Sequence, residues 1–281
     1  MSGKLYIVGT PIGNLRDITI RALDTLKECD MVAAEDTRVT LKLLNHFEIK
    51  KPLISYHKYN EKDKSADILE LVKEGKNIAL VSDAGMPGIS DPGSILIERA
   101  VAEDVPFEVI PGATAVITAL VYSALDTTSF TFRGFFPREN KEREALFADI
   151  ENYKDTLIFY ESPYRIVQTL QYIKDRLGNR RIAICREITK LYESIFRGTV
   201  EEAYEFFNEN SPKGEFVLVL EGKTLEEIDR EERATWEHMT IEDHIVMEMK
   251  QGHSKKEAIK LVAKARGMAK NDVYKYSIDI D

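Results

Sequence analysis

The stretch Ile78-Ala-Leu-Val-Ser-Asp-Ala-Gly-Met-Pro-Gly-Ile-Ser-Asp-Pro-Gly93 decides how the rest of the chain is read. Ile78 to Val81 is a short apolar run, the pattern of a buried strand. It stops at Ser82, and nine of the twelve residues 82–93 are Ser, Asp, Gly or Pro, a composition that makes tight turns. Asp91-Pro92 has the form of an N-cap followed by proline at the first helical position, so a helix is expected to open there. Ordinary strand-to-helix loops take about two to six residues. A loop twice that long at the carboxyl end of a strand is where open α/β sheets bind ligands.

Working outward, the pattern predicts strands at 4–8, 31–34, 53–55, 78–81 and 106–110, with helices at 18–29, 38–47, 63–74 and 94–103 between them. That alternation implies a parallel sheet with helices on both faces. Pro111-Gly112-Ala113-Thr114 then breaks the pattern. Beyond it, strands at 130–135, 156–160, 181–186 and 215–220, an extended segment at 191–199, and helices at 139–152, 164–177 and 201–208 predict a second α/β domain with a mixed sheet. The chain of 281 residues exceeds what one core usually holds. The expected division is an N-terminal α/β domain at 1–112, a second at 113–222, an acidic linker at 223–239 and a basic helical extension at 240–281. In that extension Thr240 with Asp243 and Ser254 with Glu257 resemble capping boxes, and Asn271 is placed to cap a third helix.

Charge separates the extension from the rest. Residues 250–276 carry eight Lys/Arg against two acids, a local +6, while the whole chain is −9. An acidic body argues against non-specific nucleic-acid binding, and the basic helices reverse that argument locally. Cys29 and Cys185 are isolated in apolar segments, as free thiols in a reducing cytoplasm would be. The five histidines show no metal-ligand spacing, and no apolar run is long enough to span a membrane.

The first loop, Gly9-Thr10-Pro11-Ile12-Gly13-Asn14-Leu15, invites a dinucleotide reading, with Glu35 about 20 residues beyond it. The fingerprint fails: only two glycines are present and Pro11 removes an amide from any phosphate cradle. A Gly/Pro loop of this kind suits a ligand without a pyrophosphate.

Four strings in order carry a resemblance: Val8-Gly-Thr-Pro-Ile-Gly-Asn-Leu15, Ala34-Glu-Asp-Thr-Arg38, residues 82–93, and Phe159-Tyr-Glu-Ser-Pro-Tyr-Arg165. They resemble the 16S ribosomal RNA cytidine 2′-O-methyltransferases, the small-subunit methyltransferase I family within the tetrapyrrole methylase superfamily. The match runs from Gly3 to about Gly222, and the basic tail resembles the helix-turn-helix extension of that family. Met86 stands where threonine is expected and Tyr164 where histidine is expected. The resemblance implies two α/β domains with S-adenosylmethionine in the cleft between them, a homodimer, and a cytidine ribose of the decoding region as substrate. By the same resemblance the cofactor touches Pro11, the turn Asp83-Ala84-Gly85-Met86, Ser90, Thr114, Ala115 and Tyr160.

Methyl transfer is an in-line displacement, so positioning the ribose oxygen is the main task, and a nearby base helps its proton leave. Asp36, His57, Glu161 and Glu193 are candidates for that base. Arg38, Arg165 and Lys190 are candidates for phosphate contacts. The expected catalytic set is Asp36, Arg38 and Glu161. Substrate contacts are expected from His57, Arg165, Lys190, Glu193, Lys255, Lys256 and Lys260. The reaction needs no metal, although Glu35-Asp36 has the chemistry to hold a magnesium ion. A tetrapyrrole C-methyltransferase on the same fold and a non-catalytic ribosome-associated RNA-binding factor are the alternatives. The first leaves the basic tail unexplained, and the second fails if turnover of cofactor is seen.

Overall fold

The computed structural model describes residues 3–210 and 213–280. The first sheet comprises β1 (Leu5–Val8), β2 (Met31–Ala34), β3 (Leu53–Ser55), β4 (Ile78–Val81) and β5 (Phe107–Ile110), in the order β3-β2-β4-β1-β5. Every pairing is parallel. Helices α1 (Ile20–Glu28), α2 (Thr37–His46), α3 (Glu61–Lys73) and α4 (Ser94–Ala102) supply the crossovers. Alternate strand residues serve two cores. Leu5, Ile7 and Leu80 pack with Ile68, Leu69 and Leu96, while Val8, Val32 and Val81 pack with Leu26 and Leu44. A central strand buried on both faces must be apolar throughout, which is why β4 is Ile-Ala-Leu-Val.

Because β4, β1 and β5 are neighbours, the loops that follow them emerge side by side at one edge. The helix after β4 begins later than the sequence implies. Its N-cap is Gly93 at φ +145°, and Asp91-Pro92 stays in the loop. A Cβ on Gly93 would stand 3.0 Å from the Gly88 nitrogen, so the loop closes on itself through two glycines. Asp91 is thereby released from capping.

The second sheet comprises β6 (Phe130–Phe135), β7 (Thr156–Glu161), β8 (Arg181–Arg186), β9 (Ser194–Thr199) and β10 (Phe216–Leu220), in the order β6-β7-β10-β8-β9. Only β6 and β7 are parallel, so the sheet is mixed. Helix α5 (Ala115–Ser123) covers one face through Val116, Ala119 and Leu120 against Ile158, Val217 and Val219. Helices α6 (Asn140–Ile150), α7 (Ile166–Leu177) and α8 (Val200–Glu209) cover the other around Phe159 and Leu218. Cys29 and Cys185 are buried free thiols. No described helix is long and apolar enough to cross a membrane.

Residues 223–281 form a second compact unit. It holds α9 (Leu225–Trp236), α10 (Ile241–Lys250), α11 (Lys255–Ala265) and α12 (Lys270–Lys275) around Ile245, Ala258, Ile259, Val262 and Val273. The segment expected as an acidic linker is therefore mostly helix. Thr224 and Glu227 form a capping box at the start of α9. Arg266 ties its far end to α11, donating to the carbonyls of Trp236 and Met239 at 3.1 and 2.7 Å and stacking over the Trp236 ring. Trp236 in turn stacks on His244, 5.1 Å between ring centres. Thr240 and Ser254 cap α10 and α11 as expected, whereas α12 opens after Ala269 with Asn271 inside it.

Candidate functional site

The loops after β1, β4 and β5 converge through backbone contacts that leave no room for side chains. The amides and carbonyls of Thr10 and Gly85 exchange two hydrogen bonds, at 2.9 and 3.1 Å. Gly9 and Gly112 lie back to back, and a Cβ on Gly112 would come within 2.8 Å of the Gly9 Cα. From the second domain, the segment after β8 reaches the same place: the Thr189 hydroxyl accepts from the Asn14 amide at 3.0 Å.

Between these loops and the ends of β6, β7 and β10 lies a cavity of about 670 Å³. Such a volume and a mostly apolar wall fit a small organic ligand with few fixed polar contacts. Ile12, Gly85, Met86, Thr114 and Ala115 form one side, and Phe132, Phe135 and Tyr160 the other. Phe132 and Phe135 reach the same cavity because a register irregularity between them cancels the strand's alternation. Both rings pack on Tyr160, at 5.0 and 5.4 Å.

Three carboxylates also line this space: Glu161, Glu215 and Asp91. Glu161 has a fully buried side chain and three partners, all at 2.6 Å: the Arg165 guanidinium, the Thr169 hydroxyl and the Ser162 amide. Glu215 pairs with Lys190 at 2.8 Å, and Lys190 also meets Glu187 at 3.1 Å. Asp91 has no ion pair among the described residues, and the Ser82 hydroxyl beside it donates to the Ala84 carbonyl at 3.3 Å. Burial and then the Glu35 carboxylate push Asp91 up to about 6. Burial and then Asp83 raise Glu35, and burial raises Asp83. The same negative surroundings, after burial, push the Tyr160 hydroxyl up to about 12.

The residues singled out from the sequence divide accordingly. Gly85, Met86, Ser90, Thr114, Ala115, Tyr160, Glu161 and Lys190 line the cavity, while Pro11, which is buried, and Asp83, which is exposed, are not among its lining residues. Asp83 accepts from the Asp36 amide at 3.0 Å. Asp36 and Arg38 also lie off the wall, bonded to each other: the Arg38 guanidinium donates twice to Asp36, at 3.0 and 2.6 Å, its amide once at 2.8 Å, and together they hold the carboxyl down at about 2. His57 is half-buried, and its Nδ1 has no partner among the described residues. Glu193 accepts from the Tyr122 hydroxyl and the Thr189 amide, which makes it a brace for the 187–193 loop. Arg165 is held by Glu161 and the Phe136 carbonyl. In the helical unit, Lys255 donates to the Ile280 carbonyl, whereas Lys256, Lys260 and Lys264 are exposed. Sequence reasoning passed over Asp91 and Glu215. The first looked like a cap, and the second was absorbed into a strand, although a charged residue directly before an apolar strand end is a usable signal.

With this geometry in hand, the comparisons with known proteins are specific. The family profile described as "Tetrapyrrole (Corrin/Porphyrin) Methylases" matches residues 4–204. The "Ribosomal RNA small subunit methyltransferase I" of Halalkalibacterium halodurans is 50% identical over 272 residues, 97% of this chain and 93% of that protein. The protein of the same name in Bacillus subtilis is 46% identical over the same shares. That of Thermotoga maritima is 48% identical over 221 residues, 79% of this chain but 99% of its own length. Among solved structures, a diphthine synthase superposes with a TM-score of 0.64 at 14% identity, covering 79% of this chain and 91% of that one. A uroporphyrin-III-C-methyltransferase from Thermus thermophilus superposes at 0.54 and 22%, covering 77% and 94%. These structures share the fold, and the sequence relatives narrow the assignment: the chain belongs to the tetrapyrrole methylases and, within them, to the ribosomal RNA small subunit methyltransferase I family.

Proposed function

We propose that this enzyme transfers the methyl group of S-adenosylmethionine to the 2′-oxygen of a cytidine ribose in the 16S RNA of the small ribosomal subunit. The carrying observation is the apolar cavity walled by three Gly/Pro loops and rimmed by carboxylates, in a chain whose full-length relatives carry the methyltransferase name. The cavity fits that cofactor chemically. Aromatic walls at Phe132, Phe135 and Tyr160 suit an adenine ring, Ser90 and Thr114 supply hydroxyls, and the acidic surroundings suit a sulfonium and an ammonium. When bound, the cofactor supplies an electrophilic methyl group. The protein's residues hold the two partners in line and exclude water.

Gly85, Met86, Thr114, Ala115 and Tyr160 are the direct cofactor contacts in this reading, while Pro11 and Asp83 belong to the loops that carry them. Asp36, Arg38 and His57 meet the substrate outside the cavity in this reading, and Lys190 lines the cavity itself. Glu161 and Arg165 hold β7 to α7 rather than touching ribose, a revision of their expected roles based on their partners. The helical unit adds RNA affinity through Lys256, Lys260 and Lys264. The Thermotoga relative, matched almost entirely by 221 residues, is too short to hold a counterpart of the whole chain.

The homodimer has a candidate face. The edge strand β5 exposes Phe107 and Val109, and α5 exposes Ile117 and Val121, apolar surface that a second copy would cover. Buried free thiols fit a cytoplasmic enzyme. The test is methyl transfer from labelled S-adenosylmethionine to undermethylated small subunits, with the product mapped to a cytidine 2′-oxygen. Label entering a tetrapyrrole acceptor instead would establish the rival activity of the same fold.

A further inference from the structure

Of the three carboxylates on the cavity wall, two are already engaged: Glu161 by three donors and Glu215 by Lys190. The third is set apart by the backbone. The loop turns through Gly88, Ser90 and Gly93, all at positive φ, and carries Asp91 out of the helix start and onto the wall. Ser82 and Asp83 face Asp91 from the start of its own loop, Glu35 from the end of β2, Tyr160 from β7 and Glu215 from the start of β10. Lys190, the cation of the same cavity, is committed to Glu187 and Glu215.

We propose that Asp91 is the base that takes the proton from the ribose hydroxyl during methyl transfer, a role that rests on the functional reading above. In the step, the 2′-O–H bond breaks and its proton passes to the Asp91 carboxylate. The freed oxygen pair forms the bond to the methyl carbon as the carbon–sulfur bond breaks, and that electron pair stays on sulfur as a neutral thioether. Asp91 then returns its proton to water through the open side of the cavity. A carboxylate with no cationic partner is a stronger base than a paired one, and a base poised near 6 is still ionised at neutral pH. The paired Asp36, held near 2, is the weaker candidate.

The experiment compares wild-type enzyme with Asp91→Asn and Asp91→Glu, using labelled S-adenosylmethionine and small ribosomal subunits. Cofactor affinity is measured in parallel by calorimetry. The asparagine variant should lose about 10²-fold or more in kcat, the usual worth of a positioned base, while keeping cofactor affinity within about threefold. Wild-type kcat should fall as pH drops through about 6, and that acid limb should vanish from the residual activity of the variant. Asp91→Glu should retain part of the activity and its acid limb. An asparagine variant within about fivefold of wild-type kcat, or one keeping the acid limb, overturns the assignment. A tenfold or larger loss of cofactor affinity, about 1.4 kcal/mol, also overturns it by placing Asp91 in the cofactor site. Wild-type protein inert towards small subunits would overturn the functional reading and this proposal with it, whereas an active wild type beside an active variant overturns the role of Asp91 alone.

Discussion

Replacing Arg165 with methionine should destabilise the α/β body by about 3–5 kcal/mol, the usual result of stranding one member of a buried ion pair. The Glu161 carboxylate has no solvent-exposed surface, and Arg165 is its only cationic partner among the described residues, 2.6 Å away. Without the guanidinium, the charge would rest on the Thr169 hydroxyl and the Ser162 amide alone. The Phe136 carbonyl would also lose its donor. Glu161→Gln should cost less, about 1–3 kcal/mol, because it removes charge-assisted hydrogen bonds without leaving a buried anion. The double variant should be more stable than the sum of the two single losses predicts, with a coupling of about 1–3 kcal/mol. Urea unfolding of the four proteins at neutral pH gives these numbers, and residual methyl transfer under folding conditions gives the second readout. A Glu161→Gln protein of wild-type stability that no longer methylates would refute the reasoning, because it would move Glu161 from holding the fold to touching the substrate.

Asp91→Asn should stabilise the protein at neutral pH by about 1–2 kcal/mol. The full rise from an ordinary aspartate value to about 6 corresponds to about 3 kcal/mol, and partial exposure reduces that figure. The sign follows from a folded-state value raised above the unfolded one: the native state binds the proton more tightly, so the penalty is absent below about 4 and complete above about 6. Equal effects of the substitution at both ends of that window would count against it. Gly85→Leu should abolish cofactor binding in calorimetry at a modest stability cost of about 1–3 kcal/mol, since Gly85 sits at φ +79° on the cavity wall. Wild-type affinity in that variant would remove this loop from the site. Ending the chain after Gly222 should leave cofactor affinity unchanged and weaken RNA binding. If three to five charges meet phosphates, the intact slope of log affinity against log salt is about −2 to −4 and should flatten on truncation. An unchanged slope would assign the helical unit a role other than holding RNA.

The strand positions, the parallel first sheet and the crowding of loops at one edge were legible because they follow from local signals, whereas the strand order β3-β2-β4-β1-β5 came only with the structure. Apolar runs such as 78–81 mark the strands, and Gly/Pro clusters mark the turns between them. What the sequence withheld depends on partners distant in the chain. Glu161 and Asp36 follow apolar strands in the same way, yet one is buried under Arg165 and Thr169 while the other pairs with Arg38 near the surface. Asp91-Pro92 has every local mark of a helix start, and tertiary contact between Gly88 and Gly93 overrides it. The acidic run 225–236 lacks a wide apolar face, and its helix is anchored by Arg266 from thirty residues away through the Trp236 carbonyl. The capping pair Thr224 and Glu227 was a local signal for that helix, visible in the sequence but outweighed by its charge.

The electrostatics of the cavity impose a division of labour on the chain. Glu35, Asp83 and Asp91 are all raised by burial and then by neighbouring carboxylates, Asp36 among them, so the site favours a cation and disfavours a phosphate. That suits a sulfonium cofactor and opposes the backbone of its RNA acceptor. Basic groups near the cavity do little to offset this: Lys190 is shared between Glu187 and Glu215, Arg165 is taken by Glu161, and Arg38 by Asp36. In the helical unit Arg266 caps backbone carbonyls, Lys255 holds the Ile280 carbonyl and Lys275 pairs with Asp272. Lys256, Lys260 and Lys264 remain exposed at fourfold spacing along α11, opposite the buried Ile259 and Val262. The row of three exposed lysines on α11 thus offers an RNA backbone a local basic face in a unit with its own core, while the α/β body holds the acidic pocket.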